Sequence, residues 1–465
     1  MQYRLLNLIP NKKLINIILS LLLLLFSILI ANFYLKKFEN NFFNKDSYTY
    51  SSFYQEDTIS YYFPLSDKII NDKNEKKSFF ISGDKYDNSF LYPRIIYIFN
   101  YLFNNNEKIF NEGENKVLLK NHEFFIYLQI LAFYFSLVFL YLTISRNFNK
   151  NLSKIICIFL FLNPIIFQYH LSFYTESLFL TFLILSISFL LRSKNTIHFL
   201  FIGIFVGIMY MQRTIALIYP LVIFTYILFL NENLSRKILK FISLMLGMIF
   251  ILFLIGFHNL NRAGVFYFTP TQTKLDLQRY VEHDIIKKSE KISYLEARKK
   301  IENFNLDVLK NYKYDLSNEA DSIKFSNKIQ ENSFKTILEN KEITIKIISK
   351  NYLYSMLLNP VQVYYETKYQ TWEDYKNSSD HKFWLIIRLV ITPIFFIFSA
   401  IGLVFSIKKI DLKFNIFLFL SISYFFVMGC WLPNTRYFTP SVLFMSIYFS
   451  IFLHELSLYL KKKFN

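Results

Sequence analysis

The sequence is poor in the residues on which disulfide-rich folds and nucleotide-binding sites depend. Its 465 residues include only 9 glycines, 10 prolines and 2 cysteines. Cys157 and Cys430 both lie within apolar segments, which favours neither a disulfide framework nor a zinc site. No P-loop, glycine-rich dinucleotide motif or HExxH motif occurs, so chemistry driven by a cytoplasmic nucleotide is unsupported.

Apolar and aromatic residues dominate instead. They make up 53% and 20% of the chain, with 55 phenylalanines and 34 tyrosines. The stretch from Leu14 to Leu35 carries no charge and is long enough to cross a hydrocarbon core, which requires roughly 20 apolar residues. Lys12 and Lys13 precede it as in a cleaved signal peptide, but its length and the lack of an A-x-A site favour a retained anchor.

Nine further apolar runs approach the length that spans a membrane. They cover residues 123–144, 155–171, 177–191, 198–212, 214–231, 238–257, 384–407, 414–431 and 438–457. With the first stretch they predict an all-α integral membrane bundle of about ten transmembrane helices. The predicted divisions are a first transmembrane helix (1–35), a first outer-face loop with in-plane helices (36–122), a transmembrane bundle (123–257), a large outer-face loop (258–383) and C-terminal transmembrane helices (384–465).

The net charge of +18 is distributed in a way that predicts topology. Basic residues occur as short clusters with no continuous basic face, which argues against nucleic acid as a partner. Positive residues are retained in the cytoplasm. Every second connection contains a basic pair or triplet, at residues 146–154, 192–198, 231–240 and 408–413, and a basic triplet lies near the C-terminal end at residues 461–463. We therefore expect a multi-pass protein of the cell (inner) membrane with both termini in the cytoplasm.

This topology places two long polar segments, residues 36–122 and 258–383, on the outer face. Both are too long to be simple connections, and such segments are usually functional or form their own structure. In the second, Ser293 and Glu296 have capping-box spacing at the start of a helical pattern. We expect both loops to contain short helices, with those of the second packed on the membrane face.

Two carboxylates lie where apolar runs meet the outer face. Asp46 follows the first span, where an acceptor and a lipid-linked donor could both reach it, and Asp57 is its nearby competitor. Glu176 begins an apolar helix. Simpler readings are an interfacial aspartate for Asp46 and a helix-dipole role for Glu176. An ionisable group at the membrane edge nevertheless requires a partner or hydration, which favours a polar site.

Three arginines also fall at outer ends of the predicted helices, namely Arg213, Arg262 and Arg436. The guanidinium group binds phosphate through a planar fork, so a cluster of these side chains would suit a phosphate or pyrophosphate. Each arginine alone could equally extend to lipid headgroups without forming a site. Because the outer loops do not face cytoplasmic nucleotide-sugars, the activated donor should be a lipid.

Short polar elements at the ends of the apolar runs and within the long polar segments are spread over most of the chain. They are Asp46 with Tyr50, Tyr92-Pro93-Arg94, Asn163-Pro164, Thr175-Glu176, Gln212 to Thr214 with Pro220, Tyr280 to Glu282, Tyr294 to Arg298, Asn261 to Gly264, and Arg436-Tyr437 with Pro440. Together they resemble the GT-C glycosyltransferases that use polyprenyl-phosphate sugars, and most of all bacterial relatives of the protein O-mannosyltransferase and aminoarabinose transferase group. The chain has Asp46-Ser47 where protein O-mannosyltransferases carry Asp-Glu, which puts a protein acceptor in doubt.

The resemblance implies an inverting hexosyl or pentosyl transfer at the outer face, with polyprenyl phosphate as the leaving group and a lipid, glycan or protein as the acceptor. In this reading Asp46 orients or deprotonates the acceptor. The lipid phosphate is held by Arg213, Arg262 and Arg436, and Glu176 organises the site. Tyr50, Asp57 and Tyr437 are secondary candidates. No cofactor is implied, and a divalent metal remains an open alternative.

Two other classes remain as alternatives at this point. An O-antigen polymerase or ligase also has about ten spans and large outer loops. A lipid-linked sugar flippase or another transporter would place charged residues near the middle of the bilayer and would not need two long outer segments. The test that separates transferase from transporter is whether Asp46, Glu176 and Arg436 meet at one face.

Overall fold

The computed structural model describes residues 20–33, 91–102, 108–110, 117–119, 122–171, 173–316, 318–358, 377–429 and 435–464. Within these ranges the chain is almost entirely helical, which confirms the predicted all-α membrane bundle. The first predicted loop also contains an element that the sequence did not predict. It contains an antiparallel hairpin of β1 (Lys108–Phe110) and β2 (Val117–Leu119). These two apolar runs flank a polar connection, which is a hairpin pattern.

The helices follow one another in chain order. They are α1 (Ser20–Phe33), α2 (Leu91–Leu102), α3 (His122–Asn147), α4 (Lys150–Leu162), α5 (Pro164–Phe167), α6 (Thr175–Arg192), α7 (Thr196–Gln212), α8 (Tyr219–Leu228), α9 (Leu234–Ala263), α10 (Thr271–Leu277), α11 (His283–Ser289), α12 (Tyr294–Tyr312), α13 (Glu319–Glu339), α14 (Lys341–Met356), α15 (Ser379–Ser406), α16 (Leu412–Gly429) and α17 (Thr439–Phe464). Short 3-10 turns precede α8 and α17, and a π-helix joins α10 to α11.

Six of these helices are long and apolar enough to cross a membrane, namely α3, α6, α9, α15, α16 and α17. The helices α4 and α5, bent by 48° at their junction, add a seventh span when they are counted as one. The helices α1, α7 and α8 are apolar but shorter. Among the described residues, six helices, or seven with the bent pair, are therefore long and apolar enough to span, and the count of ten stays a prediction.

The bend between α4 and α5 interrupts the apolar run that we expected to be one helix over residues 155–171. Pro164 has no backbone N–H to donate, so it cannot continue the hydrogen bonds of α4. Asn163 ends the first helix and caps the second, since its side-chain oxygen accepts from the Ile165 N–H at 3.0 Å. Its amide also donates to Ser446 Oγ on α17 at 2.9 Å, which ties the bend to a second span.

Helices α7 and α9 cross so closely that glycine is required at the contact. A Cβ atom on Gly203 would overlap the carbonyl oxygen of Leu244, and one on Gly247 would overlap the carbonyl oxygen of Leu200. Small residues at such crossings let two helix backbones approach each other directly. In the same way, Gly402 of α15 lies against the Tyr448 carbonyl of α17.

The polar segment between α9 and α15 folds into the helices α10 to α14 with small apolar cores of their own. One core joins Val281, Ile285, Ile337 and Ile347. The predicted capping box at the start of α12 is present: Ser293 Oγ accepts from the Glu296 N–H at 3.2 Å, and the Glu296 carboxylate accepts from the Ser293 N–H at 2.8 Å. The expectation of short helices in this segment is therefore confirmed.

Candidate functional site

Glu176 lies buried in the first turn of α6. Tyr174 before it is extended, Thr175 begins the helix, and the Glu176 side chain is only 3% exposed. The Thr175 hydroxyl donates to one carboxylate oxygen at 3.2 Å. A buried carboxylate requires a counter-charge, because its removal from water is costly. Glu176 therefore requires positively charged side chains close to its carboxylate.

Two arginines from distant parts of the chain supply that counter-charge. Arg213, at the end of α7, donates to Glu176 Oε1. Arg436, in the 3-10 turn before α17, places its Nε 2.9 Å from the same oxygen. Their side chains are 8% and 15% exposed. The ends of α6, α7 and α17 therefore meet at one place, as the alternating direction of the spans requires.

Tyr437 completes this group, which we call the arginine cluster: Glu176, Arg213, Arg436 and Tyr437. The guanidinium carbon of Arg213 lies 4.2 Å from the centre of the Tyr437 ring, and that of Arg436 lies 5.4 Å from it. Arginine over an aromatic face is attracted by the negative potential of the ring. With two guanidinium groups and one carboxylate the cluster carries one net positive charge, so it is suited to an anion such as a phosphate.

A buried layer of rings and hydroxyls supports the turn that carries Glu176. His170 is fully buried, and its Nδ1 lies 2.8 Å from Ser177 Oγ in the first turn of α6. Its ring stacks on Phe133 of α3, with 3.9 Å between the ring centres. The buried Tyr169 and Tyr174 pack edge to face before α6. These contacts fix where the N-terminus of α6, and with it Glu176, can lie.

A second polar contact joins the first loop segment to the bundle. Arg94 of α2 and His258 of α9 are both buried, and Arg94 Nη2 lies 3.1 Å from His258 Nε2. Sequence reasoning noted Tyr92-Pro93-Arg94 as a family-like stretch but gave Arg94 no role, and it did not single out His258. A basic residue in an otherwise apolar helix was the available signal for Arg94, whereas nothing in the sequence marks His258.

The long polar segment also reaches the arginine cluster. The π-helix Gln278–Glu282 and α14 pack against each other, and α14 packs on the 3-10 turn that carries Arg436. Burial raises the pKa of Tyr280, and the nearby Tyr437 hydroxyl adds to the rise, whereas a hydrogen bond with Arg279 opposes it. The π-helix is thus joined through α14 to the turn that carries Arg436.

The structure brings together four of the residues that the sequence singled out, namely the members of the arginine cluster. Arg262 lies in the last turn of α9, where the structure describes its backbone alone. Asp46, Tyr50 and Asp57 lie outside the described residues. Among the residues that are described, no group of three or more His, Cys, Asp or Glu side chains is arranged to hold a metal ion.

Comparison with known proteins identifies a family resemblance over part of the chain. Residues 114–257 match the family described as dolichyl-phosphate-mannose-protein mannosyltransferase. The matched region contains Glu176 and Arg213 but ends before the long polar segment and Arg436. The match confirms the resemblance to this group of glycosyltransferases. No curated protein sequence matches the chain significantly.

Three solved structures of the oligosaccharyltransferase of Archaeoglobus fulgidus match more loosely. The complex with an inhibitory peptide and a dolichol-phosphate has a TM-score of 0.47 at 11% identity, covering 96% of this chain and 51% of that one. The apo form has a TM-score of 0.46 at 11% identity, covering 96% and 52%. The form tethered to an acceptor peptide has a TM-score of 0.46 at 13% identity, covering 95% and 50%. The chain spans about half the length of these proteins.

Proposed function

We propose that this chain, a glycosyltransferase of the GT-C superfamily that matches the mannosyltransferase family over residues 114–257, transfers a sugar from a polyprenyl-phosphate donor to an acceptor at the outer face of the cytoplasmic membrane. The observation that carries the proposal is the arginine cluster, in which two guanidinium groups share one buried carboxylate at the end of an apolar bundle. A lipid phosphate could reach such a site while its polyprenyl chain stays in the bilayer, which avoids the hydrophobic penalty of leaving it.

The chemistry is a single displacement. The acceptor oxygen or nitrogen bonds to the anomeric carbon, and the bond from that carbon to the phosphate oxygen breaks with its electron pair. The acceptor proton passes to Asp46, acting as general base, and polyprenyl phosphate leaves. Attack from the side opposite the leaving group inverts the anomeric configuration.

Arg213 and Arg436 stabilise the charge that develops on the phosphate as the sugar departs. Glu176 holds both guanidinium groups in place and limits the site to one net positive charge, so that the product phosphate can still be released. Arg262 is a further candidate for the phosphate, from the end of α9. The acceptor is a lipid, a glycan or a protein.

Deletion of the gene tests this function. We expect the mutant membrane to accumulate a polyprenyl-monophosphate sugar, detectable by mass spectrometry of lipid extracts, and expect wild-type protein but not the Arg436→Ala variant to remove it. The accumulated sugar should be accessible from outside, because a transferase acts after the lipid has crossed the membrane. Accumulation on the cytoplasmic side would indicate a flippase, and accumulation of a pyrophosphate-linked oligosaccharide would indicate a polymerase or ligase.

The orientation of the protein in the membrane follows from the basic residues in the short connections between the helices. Reporter fusions after Lys150, Lys237 and Lys409 should report the cytoplasm, and fusions near Asn74 and Asn311 should report the outer face. Both termini are then cytoplasmic and the enzyme belongs to the inner membrane. A cytoplasmic signal from either long polar segment would overturn this orientation and place the arginine cluster on the wrong face for a lipid-linked donor.

A further inference from the structure

Helix α14 connects two hydrophobic cores. Near its start, Ile343 and Ile347 pack in the small core of the long polar segment. At its other end, Met356 and the fully buried Leu358 just beyond it pack in the main core of the helix bundle. Helix α14 therefore runs from the polar segment into the bundle that contains the predicted spans.

The end of α14 is fixed to α15 by hydrogen bonds. Arg388 of α15 donates to the carbonyl oxygen of Leu357 from Nε, at 3.2 Å, and also from Nη2. The Leu358 N–H donates to Thr392 Oγ1, also on α15, at 3.1 Å. The last carbonyl groups of a helix have no partner within it, and an arginine can both satisfy them and interact favourably with the negative end of the helix dipole. Arg388 therefore holds the C-terminus of α14 against α15.

These contacts lie within the apolar part of α15. That part begins at Phe383, and Arg388 and Thr392 follow about 8 and 14 Å further along the helix axis, at 1.5 Å per residue. Leu389 and Val390, next to Arg388, are 53% and 54% exposed. Because α15 is long and apolar enough to cross a membrane, the turn around Arg388 is surrounded by lipid. Backbone polar groups at such a place require partners within the protein, and Arg388 and Thr392 supply them to α14.

A chain of four aromatic rings joins α14 to the turn that carries Arg436. Tyr352 of α14 packs edge to face on Phe426 of α16, with 4.3 Å between the ring centres. Phe426 packs on Phe438 at 5.0 Å, and Phe438 packs on Phe396 of α15 at 6.0 Å. Phe438 is buried and lies in the same 3-10 turn as Arg436. The position of α14 therefore limits where that turn, and with it the Arg436 side chain, can lie.

The outward side of the same stretch of α14 is apolar. Leu353 is 65% exposed and Tyr354 is 54% exposed. Lys350, one turn earlier, places its ammonium group 5.8 Å from the centre of the Tyr354 ring. Tyrosine is frequent at the membrane interface, and a lysine there extends its charge to the headgroups while its stem lies along apolar surface. The order of lysine, tyrosine and leucine side chains therefore fits a helix whose end enters a lipid leaflet.

We propose that the last two turns of α14 lie in the outer leaflet of the membrane, with lipid acyl chains against Leu353 and Tyr354, and that Arg388 is a positioning residue for Arg436. The second half of the proposal rests on the transferase function given above. Loss of the Arg388 side chain leaves the Leu357 carbonyl without these donors in an apolar environment, which is destabilising, so the end of α14 shifts toward water. The chain of aromatic rings transmits that shift to the turn that carries Arg436.

Spin labels test the contact with lipid. Leu353→Cys would be labelled in protein whose Cys157 and Cys430 are replaced by alanine, in vesicles of phosphatidylethanolamine and phosphatidylglycerol. We expect the label at position 353 to collide often with oxygen, which concentrates in hydrocarbon, and rarely with a water-soluble nickel chelate. Leu306→Cys is the matched control, because Leu306 is 50% exposed on the highly charged α12, and its label should show the reverse. Equal collision with nickel at the two positions would overturn the insertion of α14.

A double-mutant cycle tests the role of Arg388. Purified protein would receive a radiolabelled polyprenyl-phosphate sugar from the deletion strain. Arg388→Ala should lower the initial rate of transfer by ~10 to ~100-fold, the scale of a small misplacement at a reacting group. Because Arg388 acts through Arg436, adding Arg388→Ala to Arg436→Ala should lower the rate by less than about twofold more. A further fall by the whole factor of the single variant would show that Arg388 acts independently of Arg436.

Three further measurements separate positioning from support of the fold. Arg388→Lys can still donate one hydrogen bond to the Leu357 carbonyl, so it should recover part of the rate. In the Arg388→Ala variant, the label at position 353 should collide more often with nickel. Lys382→Ala removes an exposed cation from the same helix and should transfer at the wild-type rate.

The outcomes distinguish the two halves of the proposal from the proposed function. If Arg388→Ala transfers at the wild-type rate, Arg388 has no positioning role, and the spin labels alone decide the contact of α14 with lipid. If the wild type transfers sugar from no polyprenyl-phosphate donor, the proposed function itself is wrong, and the spin labels still decide that contact.

Discussion

Replacing Arg436 with alanine is expected to lower the rate of sugar transfer by ~100 to ~1,000-fold, the range seen when one donor is removed from a site of developing charge. Arg436 is the more exposed of the two arginines, and its loss leaves Glu176 paired with Arg213, so the fold should survive. The initial rate with a lipid-linked donor, measured on purified protein of unchanged melting temperature, checks this expectation.

Conservative substitution makes the test at Arg436 sharper. Arg436→Lys keeps the charge but loses the planar group that lies over Tyr437 and Tyr174, so only part of the activity should return. Arg192→Ala is a suitable control, because this arginine lies at the opposite end of α6, over Phe139. If Arg436→Ala retained half of the wild-type rate, the arginine cluster would be a structural ion-pair network with no part in the reaction.

The second large effect is expected at Asp46. Asp46→Asn should lower transfer by at least ~100-fold, because the amide cannot take the acceptor proton, a contribution typical of a general base. Membrane insertion and expression should be unchanged, since the substitution is nearly isosteric. Transfer to the natural acceptor is the measurement, with slow donor hydrolysis followed in parallel.

Asp57→Asn is the matched control for Asp46, since both carboxylates lie in the same polar segment. We expect Asp57→Asn to transfer at close to the wild-type rate. An inactive Asp57→Asn together with an active Asp46→Asn would show that the base was assigned to the wrong carboxylate, without affecting the assignment of the phosphate to the arginines.

The sequence was most informative where a charge interrupts an apolar run. Glu176, Arg213 and Arg436 each fall at the end of such a run, and counting spans was enough to place the three ends on one side of the bundle. Which atoms pair could not be predicted, because the shared use of one Glu176 oxygen depends on the packing of α6, α7 and α17. The supporting stack of His170 on Phe133 is equally a product of tertiary packing.

Local irregularities were predicted less well, for identifiable reasons. The bend in the 155–171 run lies at Pro164. It was not predicted, because the run was assigned from hydropathy alone. The run predicted over 214–231 begins instead with a 3-10 turn at Thr214, and α8 starts only at Tyr219, just before Pro220. The π-helix has no local signal, since Glu282 is held by partners about fifty residues further along the chain.

The glycine contact between α7 and α9 has a mechanical consequence for the site. Gly203 lies ten positions before Arg213, which at 1.5 Å per helical residue is about 15 Å. Because no side chain separates the two backbones at Gly203 and Gly247, the contact cannot be compressed. A change in the distance between α7 and α9 at this contact would therefore tilt α7 and move Arg213 at its C-terminal end. A single methyl group added at Gly203 would push the two helices apart and shift the Arg213 guanidinium group relative to the Glu176 carboxylate.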